Sequence, residues 1–548
     1  MKTKLFVSFT AFVAASALMC SCSNEESADS NNNSNSNGQL TAFTGGIVTE
    51  APMKRMQLST PEISTEVPGF LTRTSMNRND IGGQGIFYWE RGDKIYVKDD
   101  KGKLCESQNE IIESAPRTTF LVNGTYTTKG KYEVYYCGTN PGAAEKKVVI
   151  ASDQTLEGFN NTEHFGAAGD CGVATAKKTT DQGKSDYSFE LAHKASYLCF
   201  LPYMAPQWDR ANLKLKRIEI TSKDDNISGT YDLDQTGLSA TGTNGSKTIT
   251  LHVGNDGLLL ADQTTETKSI KNSLYVVIAP GIHTLKVKYT VVYAMNTVMT
   301  ITKSYKSHTF GANKICDIPV NLSVRHYSGH NYYMWDAKEN YWSGHEWDAV
   351  TPWQPTGYYG TNSGFPKSKA DGARWYHEGG VAFGASNAPF TKLNLPNANE
   401  MAWYVLKGDA HWDNSTPWEV FGRIYTRGIW LKKLSVIAHE NGKEKSADLR
   451  LKDPNDKDLR VSDGDYASSF DPDSGKPADS KISNYFFLPA LGYYSDGKFY
   501  SFRSAGYYWS SSAASKDSSI AYDLIFSRGN VHMSFTTRSY GYVALPFE

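Results

Sequence analysis

Short alternating runs fill the first 325 residues. KIYVKDD, KYEVYYCG, KKVVIAS, SYLCFLPY, LKLKRIEITS, KTITLHV, SLYVVIAP and HTLKVKYTVVYAM are β-branched or aromatic, several with period two. That spacing places apolar side chains on one face of an extended chain. Polar turn clusters such as NRNDIGGQG, KDDNISG and TNGS separate the runs. No segment here has the length and 3.6-residue period of a helix. The pattern predicts two β-sandwich domains, at 41–186 and 187–325.

Beyond about residue 330 the pattern changes. KLNLPNANEMAWYVLKGDAHWD carries the one predicted helix of this part, Ala398–Leu406, with Asn397 or Asn399 placed to cap it. Short strands and long Gly/Ser/Asp loops follow, as in SDGDYASSFDPDSGKPADSK. The expectation is mainly β overall, closing with an α+β domain at 326–548. Tryptophan supports the boundary. Only Trp89 and Trp208 precede residue 326, and the other ten follow it.

The first residues read differently. Lys2 and Lys4 precede LFVSFTAFVAASALM, an apolar run too short to span a bilayer and patterned like a secretory signal, 1–21. Cys22, after the small Ser21, resembles the lipid-bearing cysteine of a bacterial lipobox; two acyl chains there would anchor the chain stably. An ordinary signal peptide with incidental cysteines is the alternative. SNEES after Cys22 is similar to the surface-export signal of Bacteroidetes lipoproteins. The segment 22–40, rich in Asn and Ser, reads as a disordered tether.

Composition narrows the partners. The formal net charge is −1, so nothing global points to nucleic acid. With Cys20 and Cys22 set aside, five cysteines remain, at 105, 137, 171, 199 and 316, all before the tryptophan-rich part. An odd number at irregular spacing leaves at least one free thiol and does not fix any pairing. No Cys/His pattern suggests structural zinc.

FLTRTS (70–75), FYWERGDKIYV (87–97), YSFELAHKASYLCF (187–200), LKRIEITSKDDNISGTYDLD and ANKICDIPVNL (312–322), in that order, resemble the fimbrillin family, the lipoprotein pilins of Bacteroidales type V fimbriae. The resemblance implies two transthyretin-like β-sandwich pilin domains. It also implies that an arginine-specific protease removes the lipidated segment with its first strand, and that a strand from a neighbouring subunit fills the groove. On that pattern TAFTGGIVTE (41–50) is the removable strand, and Arg55 and Arg73 are the cleavage points. Arg91-Gly92-Asp93 could be taken for an integrin-binding tripeptide, but in W-x-x-G-D it reads as the turn into KIYV.

LP-x(3)-E, FFLPALGYY, G-x-YWSSS, AYDLIF and R-x-YGYVALPF resemble a repeat domain of bacterial surface proteins related to C-type-lectin-like and formylglycine-generating-enzyme folds. Formylglycine chemistry needs cysteines, and 317–548 has none. No calcium-lectin ligand loop stands complete, so no cofactor is expected, calcium being an open option through acidic loops such as 463–474. Glu378, Asp409 and Asp413 could be enlisted as hydrolytic carboxylates, yet loop aspartates are commonly surface residues, and no enzyme is expected. Binding remains. Aromatic rings suit sugar faces and protein hot spots, and Trp342, Trp347, Trp353, Trp375, Trp412 and Trp418 are expected to be exposed, with Trp403 and Trp509 in the core. The expected ligand rim is Trp375, Tyr376 and His377 with Trp412, Asp413 and Asn414.

A domain after the pilin-like part, with YVALPFE needed inside it, leaves a subunit that accepts a strand without donating one. The expected role is a tip fimbrillin and adhesin. Its partners would be other fimbrial subunits, by donor-strand insertion, and a host or bacterial surface glycan or protein. The precursor would sit on the outer membrane through its lipid, and the processed form in the fimbrium. The alternative is a permanently anchored, glycan-binding surface lipoprotein.

Overall fold

The computed structural model describes residues 40–46, 53–54, 56–57, 68–69, 75–78, 85–181, 184–204, 213–260, 270–293, 297–357, 359–378 and 394–547. The protein is mainly β, and all eight alternating runs are strands. No helix among the described residues is long and apolar enough to cross a membrane.

The first sheet runs, edge to edge, Leu104–Glu106, Ile95–Lys98, Lys131–Tyr136, Gly172–Asp181, Lys184–Glu190, Leu40–Gly46 and Thr118–Asn123. Period two works as expected along Lys131–Tyr136. Tyr132, Val134 and Tyr136 face the first core with Trp89, Phe120 and Phe189, while Tyr135 and Cys137 face the second. Trp89 meets Phe120 and Tyr136 edge-on at 4.9 and 5.4 Å.

The second core lies between two sheets. Leu274–Ile278, Ser196–Tyr203 and Ile315–Asn321 form one, with Met56–Gln57 added in parallel beside the last. Asp153–Leu156, Thr248–Val253, Lys214–Ser222, Leu285–Tyr293 and Thr297–Ser304 form the other. Phe200 and Tyr289 meet between them at 5.9 Å. The predicted break at 186/187 falls inside the strand Lys184–Glu190, which stays in the first sheet; Leu191 belongs to the first core and Ala195 to the second. Nor is the second unit continuous in sequence, since Lys147–Ile150 pairs with Ser228–Asp232 and Asp153–Leu156 with Thr248–Val253. Alternation marks a strand but not its partner, so the sequence pattern could not show this loan of strands.

Two buried polar clusters tie together segments far apart in sequence. Arg78 donates to both oxygens of Asp317 at 2.7 Å, with both side chains sealed from solvent. Burial works against the guanidinium charge, and the carboxylate overrides it, raising the Arg78 pKa. Asp170 Oδ1 accepts from Tyr197 at 2.5 Å and lies 2.7 Å from His193 Nδ1, all three buried. Among the described residues Cys105, Cys137, Cys171, Cys199 and Cys316 are all free thiols, and only Cys105 is half-exposed.

In the terminal domain, Arg325–His326, His411–Val420, Arg423–Lys432 and Tyr485–Pro489 form one sheet. A larger one runs Tyr332–Tyr333, Tyr542–Val543, Ala505–Ala513, Ile520–Ser527, Asn530–Thr537 and Tyr466–Ser469. Arg325–His326 already pairs with Trp418–Glu419, so the crossing from the second sandwich is a few residues earlier than predicted. The predicted helix is Ala398–Lys407. Asn397 accepts from Glu400 N, and the Glu400 side chain returns to Asn397 N, a complete capping box. A second helix, Leu434–Glu440, was not expected: LSVIAHE carries Val436 and Ile437 and has no side-chain cap, so the window reads as a strand.

Candidate functional site

The strand Leu40–Gly46 lies between two strands that are not otherwise neighbours. It runs antiparallel to Thr118–Asn123 and parallel to Lys184–Glu190. Its large buried side chain is Phe43, which stacks on Tyr187 at 5.1 Å and meets Tyr126 edge-on at 4.9 Å. Gly45 crosses the Phe189 ring so closely that a Cβ there would sit 2.5 Å from it. The predicted strand 41–50 therefore corresponds to an observed one at 40–46; residues 47–50 lie outside the described residues.

Cys22, Arg55 and Arg73 also lie outside the described residues. Between Gly46 and Ser75 the described chain forms only the two-residue strands Met53–Lys54, Met56–Gln57 and Pro68–Gly69. At Ser75–Arg78 the chain is firmly held again. Ser75 Oγ donates to Glu90, Met76 N donates to Thr162 Oγ1 at 2.5 Å, and Arg78 reaches Asp317.

The Arg-Gly-Asp stretch is spent on structure. Asp93 is buried; its carboxylate accepts Glu90 N and the Tyr136 hydroxyl, each at 2.7 Å, ahead of the strand Ile95–Lys98.

The expected ligand rim divides in two. Trp375 and Tyr376 are half-buried with ring centres 4.9 Å apart, and Trp375 Nε1 donates to Glu378 at 3.0 Å. His377 is fixed through its backbone: its N–H donates to Trp335 O, and its carbonyl accepts from Arg538. Trp412, by contrast, is buried, and so is Asp413. Asp413 accepts from Ser415, Thr416 and, at 2.9 Å, Trp430 Nε1. Burial alone would push its pKa up, and the donors Thr416, Ser415 and Trp430 outweigh it and hold it low. Asn414 is exposed and accepts from Trp412 Nε1. Asp413 and Trp412 therefore hold the wall of this sheet, and Asn414 alone of the three stays open. Trp342 and Trp418 are likewise buried, whereas Trp347 and Trp353 are partly covered. Trp412 and Trp418 sit on the strand His411–Val420, and flanking Asp and Ser residues made that strand look like a loop. Trp403 and Trp509 are in the core as expected.

The acidic loop is engaged by the protein itself. Asp463 accepts from Ser515 N and Oγ, and Asp473 pairs with Arg528. Among the described residues no three His, Cys, Asp or Glu side chains gather as a metal site. Of the other carboxylates considered, Asp409 accepts from the Tyr485 hydroxyl at 2.5 Å.

A cluster that the sequence reading missed is made of tyrosines. In YYSDGKFY, Asp496 and Gly497 both take positive φ, 47° and 72°, the two-residue turn that suits a hairpin. A Cβ on Gly497 would meet Asn362 O at 2.1 Å. The hairpin pairs Tyr493–Ser495 with Lys498–Tyr500. Tyr494 and Phe499 point inward and are fully buried, which leaves Tyr493 and Tyr500 on the outer side, 5.3 Å apart and stacked. Tyr493 is the hub: Tyr507 lies at 4.4 Å, Tyr542 at 5.3 Å and Tyr540 at 5.7 Å. Lys498 Nζ stands 4.8 Å from the Tyr359 ring and 5.0 Å from Tyr500. Burial, then the neighbouring phenols, push Tyr493 up to about 12. Asp-Gly between alternating aromatics was the available signal.

No family model matches the chain, and no curated protein matches it. Among solved structures it is similar to a candidate cell adhesion protein from Bacteroides eggerthii, at 12% identity, covering 52% of this chain and 87% of that one, with a TM-score of 0.27. A fimbrial protein from Bacteroides ovatus matches at 9% identity over 92% of this chain and 98% of its own, TM-score 0.24. The fimbrial anchor protein Mfa2 from Porphyromonas gingivalis matches at 10% identity over 48% and 82%, TM-score 0.20. At such scores these likenesses carry no weight for fold or function.

Proposed function

We propose that the chain is a surface adhesion subunit of a fimbria, a tip subunit that accepts a strand from a neighbour and presents its terminal domain for binding. The observation that carries this reading is the strand Leu40–Gly46. It closes a gap between Thr118–Asn123 and Lys184–Glu190 with backbone bonds and one buried aromatic, Phe43. Loss of such a strand leaves an open groove, which an extended chain can refill by strand addition. Cleavage after Arg55 or Arg73 would release it, while Ser75–Arg78 stays anchored. In the precursor, lipid on Cys22 would hold the chain at the outer membrane. The strand Tyr542–Val543 is hydrogen-bonded inside the terminal sheet, which supports acceptance without donation by that strand. We read the terminal domain as a binding module, not a catalyst, because Asp413 is buried and saturated with internal donors.

The test is peptide complementation. Full-length chain is cut with an arginine-specific protease, and the product is mixed with a synthetic LTAFTGG peptide. We expect a folded product that has lost residues 40–46 and takes up the peptide, with a peptide carrying Phe43→Ala failing to bind. A chain that resists cleavage, or keeps its own strand, would favour the permanently anchored glycan-binding lipoprotein instead.

A further inference from the structure

We infer that the tyrosine face around Tyr493 binds an acidic sugar chain, a pyranose bearing a carboxylate or sulfate. The inference rests on the reading of the terminal domain as the binding part, and it moves the contact surface away from Trp412 and Asp413, which are buried.

Three observations converge. First, Tyr493, Tyr500, Tyr507 and Tyr540 are all half-buried, so each shows part of its ring to solvent. Tyr493, Tyr507 and Tyr540 each meet the buried Tyr542, which stacks on Trp509 at 4.6 Å, so most of the surface is packed from behind before any ligand arrives. Flat, preorganised rings suit the apolar faces of sugars at small entropic cost.

Second, the phenol hydroxyls are available. Tyr507 has a long contact of 3.4 Å to Ser501 Oγ. Those of Tyr493, Tyr500 and Tyr540 make no hydrogen bond to the described residues, and none is a sealed orphan. By comparison, the inward Tyr494 hydroxyl donates to Pro355 O and the Tyr508 hydroxyl to Pro489 O. Tyrosines packed for stability alone behave like that second pair. Three neighbouring hydroxyls with both donor and acceptor capacity match the ring of hydroxyls on a sugar.

Third, the face carries a cation that no carboxylate pairs with. Lys498 is held over Tyr359 and Tyr500 by pairing of the segment around Thr361 with the hairpin, and it forms no ion pair with an acidic side chain of the described residues. An ammonium at the edge of an aromatic surface offers a charge-assisted bond to an anionic substituent while the sugar ring lies on tyrosine. A neutral glycan would leave that charge unused.

The test uses the full chain and three probes: sialyllactose, a heparin-derived sulfated oligosaccharide, and neutral lactose. Binding is measured by titration calorimetry or NMR. We expect one acidic probe to bind at least tenfold more tightly than lactose; which one does so separates a sialylated from a sulfated source. Lys498→Ala should lower that affinity at least tenfold with the melting temperature unchanged. Tyr540→Phe, which removes one hydroxyl and keeps the ring, should weaken it severalfold. Equal binding of neutral and acidic probes, no binding of either acidic probe, or acidic binding indifferent to both variants overturns the assignment. In the last case the chain would still bind glycan, and only this face would be wrong. Peptide complementation at the first sheet is unaffected by any of these outcomes.

Discussion

The first and last strands of the described chain are held in opposite ways. Leu40–Gly46 is seven residues long, has a backbone partner on each side, and commits one large side chain, Phe43, to the core. Tyr542–Val543 is two residues long, yet both are buried. Tyr542 stacks on Trp509, and just beyond it Phe547 packs on Phe486 at 5.7 Å. Length and backbone bonding alone do not make a strand permanent. Backbone bonds can be handed to any extended chain, whereas interlocked side chains cannot.

The largest effect should come where the chain after the first strand is fastened. Arg78→Ala removes the paired cation from the buried Asp317 and should cost about 3–5 kcal/mol, read as a lower melting temperature. A loss under about 1 kcal/mol would mean that Ser75–Arg78 is no firmer than the strand before it, and the contrast would fail.

A second test addresses the terminal sheet through Asp523, which is fully buried next to Trp509 in register and has no hydrogen bond of normal geometry to either oxygen. Burial raises its pKa to about 7, an effect that the nearby Ser534 N–H only partly offsets. The folded state keeps this proton up to about pH 7, while an unfolded chain releases it near 3.8. Stability is therefore fullest below 3.8, falls as pH rises to about 7, and stays low above it, a swing on the order of 4 kcal/mol. Asp523→Asn should flatten that slope, melting higher than the parent at pH 8 but not at pH 4. Parallel profiles would show that the sheet around Tyr542 is not under this strain.

The smallest effect is local. Asn397→Ala removes the capping box of Ala398–Lys407 and should cost about 1 kcal/mol. Hydrogen exchange should rise in that helix and not in the first sheet; a rise in both would mean that the two regions share one cooperative unit.

What could be read in advance followed the range of the signal. Alternation located eight strands of the first half, though not others such as Thr118–Asn123 and Gly172–Asp181, and the Asn397/Glu400 spacing located the helix and its cap. Partnership was not legible, because pairing such as Asp153–Leu156 with Thr248–Val253 joins residues about a hundred positions apart. Exposure of the tryptophans failed for a related reason. A polar flank is local, whereas burial of Trp412 and Trp418 depends on Ser474, Arg427 and the core behind them. The tyrosine face lay across four separate segments, and only its Asp-Gly turn left a mark in the sequence.

Gly45 and Gly46 set a grammar for whatever occupies that slot. With the buried Phe189 ring pressed against Gly45 and the movable end of the exposed Arg117 against Gly46, the slot takes an aromatic at one position, then nothing beyond the backbone two positions later. Under the proposed strand exchange, an incoming strand that brought even a methyl group to the Gly45 place would press it into the Phe189 ring.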